Sequence, residues 1–320
     1  MMNPLEFDKS IYSSTETALA VYETILKMRQ HFGNHESILI SVSGGSDSDC
    51  IVHLVCKYFP EYLHKCRFVW VNTGLEYEAT KRHLRDLETK YGIQIDRIRG
   101  KSVVWAVKHY GVPILSKEKS QYIADYVRGV PYAQKIINKT GRFGFSYNQR
   151  ALVEHIRAHD IAISKKCCDI SKKKPLHEYM KAHGVDLNVT GERKAEGGQR
   201  AARHRTCFEC HTDGINKYMP LWWWSDETKA DFKQAEQIRF SDCYEVYGMK
   251  RTGCCGCPYN LDLQRDLAIM KHYEPQLFKA CMHVFGQSYR LTDQFNCRRK
   301  KILPDEIQLL LAAESEGGDE

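Results

Sequence analysis

Apolar residues recur at helical spacing between residues 11 and 31, most densely in ALAVYETILKM, and predict an N-terminal helix there. SILISV (37–42) is a short apolar run of the kind that forms a buried strand. SDCIVHLVCKYFPEYL (48–63) carries one apolar helical face and stops near Pro60. CRFVWVNTG (66–74) predicts a second strand, and EATKRHLRDLETKYG (78–92) a polar-faced helix closed by Gly92. IQIDRIRG (93–100) alternates as a third strand. The order β-α-β-α-β predicts an α/β fold, a parallel β-sheet with flanking helices.

Residues 101–160 read as mostly helical, DIAIS (160–164) and DLNVTG (186–191) as short strands, and 259–290 as helical again. Beyond about residue 205 the chain turns Cys-, Trp- and Gly-rich. This divides the chain into an α/β domain over 1–205, a Cys-rich, mostly helical region over 206–310, and an acidic tail over 311–320.

Composition narrows the class. An apolar fraction of 42% in 320 residues builds a real core. No apolar run is long enough to span a membrane and MMNPLEFDKS lacks a secretory core, so a cytoplasmic, non-membrane protein is expected. The net charge is +7, with Lys and Arg collected in KKCCDISKKK (165–174) and GERKAEGGQRAARHR (191–205). Such a surface favours phosphate-rich partners, from a nucleotide to a nucleic acid. Thirteen cysteines without an export signal point to metal or thiol chemistry rather than a disulfide scaffold. Cys50, Cys56 and Cys66 fit core packing better than chemistry.

ISVSGGSDSDC (40–50) runs from a strand through two glycines into a helix. Backbone N–H groups and a helix N-terminus then surround one point, which suits a phosphate. Ser43, Ser46 and Ser48 can add hydroxyl donors, and Asp47 either caps the helix or holds Mg²⁺. Arg193 and Lys194, directly after the 186–191 strand, can reach phosphates at the carboxyl edge of the sheet.

Ser43-Gly44-Gly45-Ser46-Asp47-Ser48 resembles the PP-loop, SGGxDS, of the ATP pyrophosphatase and adenine nucleotide α-hydrolase-like superfamily. VNTGLEYEAT (71–80), VTGERKAEGGQR (189–200) and YMPLWWWSDETKADF (218–232) resemble segments of its sulfonucleotide branch, the phosphoadenosine phosphosulfate (PAPS) and adenylylsulfate (APS) reductases. The resemblance implies an ATP or related nucleotide site formed by Ser43, Gly44, Gly45, Ser46, Asp47, Ser48, Thr73, Glu76, Gly191 and Arg193. Thr73 and Glu76 would hold ribose or adenine.

Cys254-x-x-Cys257 is a chelating spacing, and Cys167-Cys168 is a second, adjacent pair. Spacing alone leaves zinc and an iron–sulfur cluster open. The Cys-Cys…Cys-x-x-Cys order resembles the cluster ligands of APS reductases and so implies a [4Fe–4S] cluster on Cys167, Cys168, Cys254 and Cys257. Lysines 165, 166, 172, 173 and 174 either offset the charge of such a cluster or form a solvated face. Cys207 and Cys210 could hold Zn²⁺ with Cys243 or a histidine, form a redox pair, or stay free thiols.

The Glu-Cys-Gly-x-His segment with which those reductases attack sulfur is absent, and Cys297, beside Arg298, Arg299 and Lys300, is the substitute nucleophile considered. A complete SGGxDS, a cluster and a basic surface together resemble sulfur-insertion enzymes, nearest in character to DNA phosphorothioation sulfurtransferases. The leading expectation is therefore an ATP pyrophosphatase that activates a nucleic acid, DNA backbone or tRNA, with Asp47, Arg193 and Cys297 as catalytic residues. Sulfur would come from a cysteine desulfurase or another donor, and homo-oligomerisation stays open. The alternatives are a sulfonucleotide (APS/PAPS) reductase and a non-catalytic subunit that binds nucleotide and nucleic acid.

Overall fold

The structure is a computed structural model in which residues 7–139, 144–197, 202 and 204–303 are described. The acidic tail and the last three residues of VTGERKAEGGQR lie outside the described residues. The fold separates into two compact units, each drawn from several stretches of chain.

The first unit comprises residues 1–72, 77–98 and 174–253. Its sheet contains β1 (Ile38–Ser41), β2 (Cys66–Val71), β3 (Ile95–Ile98), β4 (Leu187–Val189), β5 (Phe208–Glu209) and β6 (Asn216–Tyr218), in the order β3-β2-β1-β4-β6-β5. Every pairing is parallel except β5 with β6. The helices are α1 (Thr15–Gly33), α2 (Ser46–Tyr58) and α3 (Glu78–Tyr91).

Side chains alternate across the sheet, so successive residues of β1 enter different cores. Ile38 and Ile40 join Phe68, Trp70, Leu187 and Val189 against Val21, Ile25, Met28 and Phe32 of α1 and Ile51, Leu54 and Val55 of α2. Leu39 and Val69 face the opposite way, packing with Met180, Val185 and Ile215. Burial of each such side chain contributes about 1.5–3 kcal/mol. The α3 helix stops at Gly92, whose φ of +62° supplies the left-handed cap its sequence predicts.

The second unit comprises Thr73–Glu76, Arg99–Lys173 and Cys254–Glu320. It holds α4 (Val103–Tyr110), α5 (Lys117–Val127), α6 (Pro131–Asn138) and α7 (Tyr147–Ala158). The first unit resumes with α8 (Lys174–Ala182), α9 (Asp226–Ala235) and α10 (Asp242–Glu245). The second unit ends with α11 (Leu263–Tyr273) and α12 (Pro275–Gln294). Serine caps start α4, α5 and α7, where Ser102, Ser116 and Ser146 each accept a backbone N–H of the first turn.

Two expectations change. DIAIS is no strand of the sheet: Ile163 makes one parallel bridge to Val112. Gly111 permits that approach, because a Cβ there would lie 2.1 Å from the Ala162 carbonyl oxygen. The linear boundary at residue 205 also differs from the division by packing. The β6 strand pairs with β4, so the chain through Gly253 belongs to the sheet unit rather than to a separate Cys-rich region. Among the described residues no helix is long and apolar enough to cross a membrane.

Candidate functional site: an anion loop and a group of thiols

The sheet order changes direction at β1, which has β2 on one side and β4 on the other. In parallel α/β sheets ligands bind outside the carboxyl ends of the strands at such a switch point. The glycine-rich loop leaves β1 there, and Thr190–Arg193 leaves β4.

Gly44 has a φ of +66°, and a Cβ on it would sit 2.6 Å from Thr80 Cγ2. Gly191 lies flat on the first turn of α2, where a Cβ would meet the Asp47 carbonyl carbon and the Ser48 nitrogen at 2.9 Å. Both glycines are required by close approach. The hydroxyls of Ser43 and Ser48 shape the loop from within. Ser43 Oγ donates to Ser48 Oγ at 3.1 Å, Ser48 Oγ donates to the Gly45 carbonyl at 2.7 Å, and Gly45 N–H donates to Ser43 Oγ at 3.2 Å.

Asp47 does not cap the helix, and among the described residues it belongs to no group of three or more His, Cys, Asp or Glu side chains that could hold a metal ion. The N-cap is Gly45, with no side-chain cap bond. One oxygen of Asp47 receives two cations instead: Arg193 Nε at 2.7 Å and Lys229 Nζ at 3.1 Å. Arg193 is 3% exposed, and its guanidinium also donates to the Trp224 carbonyl at 3.2 Å and to Asp226 Oδ1 at 2.7 Å. Burial opposes its charge, but the carboxylates of Asp47 and Asp226 outweigh burial and raise its pKa. Arg193 therefore braces the loop through Asp47. Lys229, whose Nζ also donates to Ser46 Oγ at 3.1 Å, is the cation at the start of α2. It lies within the quoted 218–232 segment, yet periodicity marks it only as one polar position of a helix. Trp222 and Trp224 are core residues, while Trp223 is 57% exposed.

In the second unit the Thr73–Glu76 segment and the cysteines come together. Thr73 Oγ1 donates to Glu76 Oε1 at 2.7 Å, and Cys255 N–H donates to the Leu75 carbonyl at 3.2 Å. Thr73 also hydrogen-bonds the Cys254 thiol. Gly256, at a φ of +64°, lies where a Cβ would meet Cys281 Cβ and Tyr289 OH at 2.7 Å. Arg298 donates to the carbonyls of Pro258 and Asn260, holding the turn that follows Cys257.

Cys167, Cys168, Cys254 and Cys257 are close enough to influence one another's ionisation. Cys167 keeps its proton, its pKa raised by its bond to Cys168, by burial and by the neighbouring thiols. Cys168 moves the other way, to about 6, through that bond and through Lys117 and Lys172, against the effect of burial. Burial pushes Cys254 up to about 11 and Cys257 up to about 12. Just after Cys168 the helix widens into a π turn at Asp169–Lys173, a distortion frequent at functional sites. Of the basic run, Lys172 faces the thiols, Lys166 lies over the Tyr110 ring at 4.4 Å, and Lys173 pairs with Asp169.

The metal expectations are corrected here. Among the described residues no group of three or more His, Cys, Asp or Glu side chains is arranged to hold a metal ion. The four thiols lie near one another, but among the described residues they are not arranged to hold a metal ion and do not form the [4Fe–4S] site that their order implies. The Zn²⁺ site at Cys207 and Cys210 fails likewise. Cys207 is half-buried against the sheet core, Cys210 is exposed, and Cys243 is buried beside Thr80. Cys297 is not activated by its basic neighbours: burial pushes it to about 11, and Lys119 is the cation that opposes this.

The family model for the phosphoadenosine phosphosulfate reductase domain matches residues 37–142 and 132–260. Adenosine 5'-phosphosulfate reductase of Neisseria meningitidis serogroup B is 25% identical over 260 residues, 80% of this chain and 86% of that protein. The serogroup A protein is 24% identical over 259 residues, 80% and 87% of the two chains. An uncharacterised protein of Methanocaldococcus jannaschii is 25% identical over 223 residues, 69% of this chain but only 36% of that longer protein. Among solved structures, phosphoadenylyl-sulfate reductase of Candida auris in its phosphate complex superposes with a TM-score of 0.45 at 16% identity, covering 72% of this chain and 87% of that one. The match takes in the glycine-rich loop, the Gly191–Arg193 segment and both cysteine pairs, and the chain belongs to the phosphoadenosine phosphosulfate reductase domain family.

Proposed function

We propose that the protein is a sulfonucleotide reductase, releasing sulfite from an adenylylated sulfate. The observation that carries this reading is the extent of the match: 80% of the chain aligns with 86% of an adenosine 5'-phosphosulfate reductase. This replaces the sulfur-insertion reading. That reading required a [4Fe–4S] cluster, for which the described residues hold no metal-binding group, and an ATP-cleaving role for which the reductase relatives give no support. The reductase reading calls for neither a nucleic-acid acceptor nor a cysteine desulfurase.

The chemistry asks for an oxyanion-binding loop and an ionised thiol. Gly44, Gly45, Ser46 and Lys229 suit the nucleotide phosphate, with Asp47 and Arg193 holding the loop in shape. A thiolate attacks the sulfur of the phosphosulfate. The S–O bond breaks, the adenosine phosphate leaves with the electron pair, and an S-sulfocysteine remains. Two equivalents of an external thiol then reduce it, regenerating the cysteine and yielding sulfite and a disulfide. In the absence of Glu-Cys-Gly-x-His, Cys168 is the best-supported nucleophile, because it has two lysines and a thiol donor stabilising its thiolate.

The test supplies the purified protein with adenosine 5'-phosphosulfate or its 3'-phosphorylated form, together with dithiothreitol, and measures sulfite and adenosine phosphate. Equal amounts of the two products are expected from one of these substrates. Pyrophosphate release from ATP with no sulfite from either substrate would overturn the reading. Nucleotide binding without any turnover would also overturn it, in favour of a binding subunit.

A further inference from the structure

A cavity of about 230 Å³ opens in the first unit between α3 and the segment entering α10. Its charged lining is Arg82, His83, Arg85, Asp86, Arg239 and Asp242. Three guanidiniums around one small cavity are unusual on a surface that has no use for them, because like charges repel. Asp242 offsets only part of this charge, accepting from Arg239 Nη2 at 2.7 Å and lying 3.5 Å from Arg82 Nη2. Among the described residues Arg85 makes no side-chain hydrogen bond, and the carboxylate it influences, Glu88, is already paired with Arg97.

The buried wall of the cavity is His83, 6% exposed. Its Nε2 lies 2.7 Å from Oδ2 of Asp49, which is fully buried on α2. The other Asp49 oxygen has no hydrogen-bond partner among the described residues, so the carboxylate depends on His83 for its compensation. That pairing favours the imidazolium, and a charged His83 adds a fourth cation to the wall. Burial raises the Asp49 carboxyl above its ordinary range and the bond to His83 opposes this; where both are charged, four cations face three carboxylates, those of Asp49, Asp86 and Asp242.

We propose that this cavity is a binding site for a phosphate- or sulfate-type oxyanion, held by Arg82, Arg85 and Arg239 over His83. Guanidinium forks match the oxygen edges of such anions, and a rigid buried His–Asp pair gives the site a floor that need not be ordered on binding. The volume admits the anion with part of an organic substituent. The site is formed by residues that the glycine-rich loop does not use, so it is independent of the proposed reductase reaction. Bound oxyanion favours protonated His83, and affinity therefore rises as pH falls through the His83 titration. Asp49 and Asp86 support that protonation, while burial and Arg239 oppose it.

The experiment titrates the full chain with inorganic phosphate, with sulfate, and with adenosine 5'-monophosphate, at ionic strength matched with chloride, following the His83 ring resonances by NMR. Phosphate or sulfate should shift those resonances and raise the His83 titration midpoint, and Arg85→Gln/Arg239→Gln should weaken that binding at least tenfold. These are exposed side chains, so the variant is expected to fold, and its unchanged amide spectrum away from the cavity checks this. A response to adenosine 5'-monophosphate alone would identify an organic phosphate as the occupant and support the site, provided the double variant abolishes it. Unchanged affinity in the double variant, or shifts confined to residues 43–48, would overturn the proposal. Reductase activity is not the readout, so failure here leaves the proposed function standing.

Discussion

The glycine-rich loop and the thiol group carry charge in opposite ways. The loop is a lattice of permanent ions: Asp47 lies between Arg193 and Lys229, and Arg193 is tied further to Asp226. The thiol group is mostly neutral, with burial holding Cys254 and Cys257 protonated and one thiolate favoured at Cys168. An anion site needs fixed positive ends that persist at every physiological pH. A nucleophile needs a charge that forms and disappears during turnover. The contrast teaches that the two regions fail differently when perturbed.

The widest separation is expected in activity. Cys168→Ser should lower sulfite release by at least about a thousandfold, as the loss of a nucleophile does, with nucleotide binding intact. Cys297→Ser should cost less than about threefold, since burial keeps that thiol protonated. Equal losses in the two variants would break the comparison.

The loop should instead fail through stability. Arg193→Met leaves Asp47 and the Trp224 carbonyl without their buried donor and should destabilise the fold by about 3–5 kcal/mol, read from urea denaturation midpoints. A loss under about 1 kcal/mol would mean that the ion lattice contributes little.

A second ionic hub in the same unit gives a pH signature. Glu236 accepts from Tyr12, Tyr58, His53 and Lys57. Although burial raises its pKa, those four donors bring it down from 4.5 to about 2. A depressed carboxyl contributes stability that is present above pH 4.5 and lost as pH falls toward 2, here about 3 kcal/mol. Thermal melts should lose stability over that interval, and Glu236→Gln should flatten the slope.

Gly191→Ala tests close packing without removing a charge. Its methyl would press on the backbone of Asp47 and Ser48, so a loss of about 1–3 kcal/mol and weaker nucleotide binding are expected. The mildest test is alkylation by iodoacetamide across pH. The most reactive cysteine, identified by peptide mass, should be Cys168, reacting at a lower pH than the neighbouring thiols, while Cys254 and Cys257 stay unmodified below pH 9.

Much of this arrangement is legible in the chain. The first three strands and their helices follow from apolar runs and helical spacing, and the loop from a strand that ends in Gly44-Gly45. The strands β5 and β6 are not legible, because Phe208–Glu209 and Asn216–Tyr218 are too short for any periodicity to register. DIAIS reads as a strand because Ile161 and Ile163 alternate, yet only one bridge forms. Lys117, at the start of α5, carries no sequence signal of its role at Cys168, and neither do Tyr244 and Thr252 beside Gly45.

The sequence by itself determined the local elements, the anion loop and the cysteine spacing, because these depend on neighbouring residues and on backbone preferences. Which charges meet was decided only by the tertiary structure. Asp47 was open to capping a helix or holding Mg²⁺ until Arg193, 146 positions away, and Lys229 were seen on the same oxygen. The cysteine order likewise suited a cluster, but ligation requires sulfurs converging on one point, and ionisation depends on burial and on cations brought in from other helices. Both properties are set by packing between distant segments, which spacing along a chain does not encode.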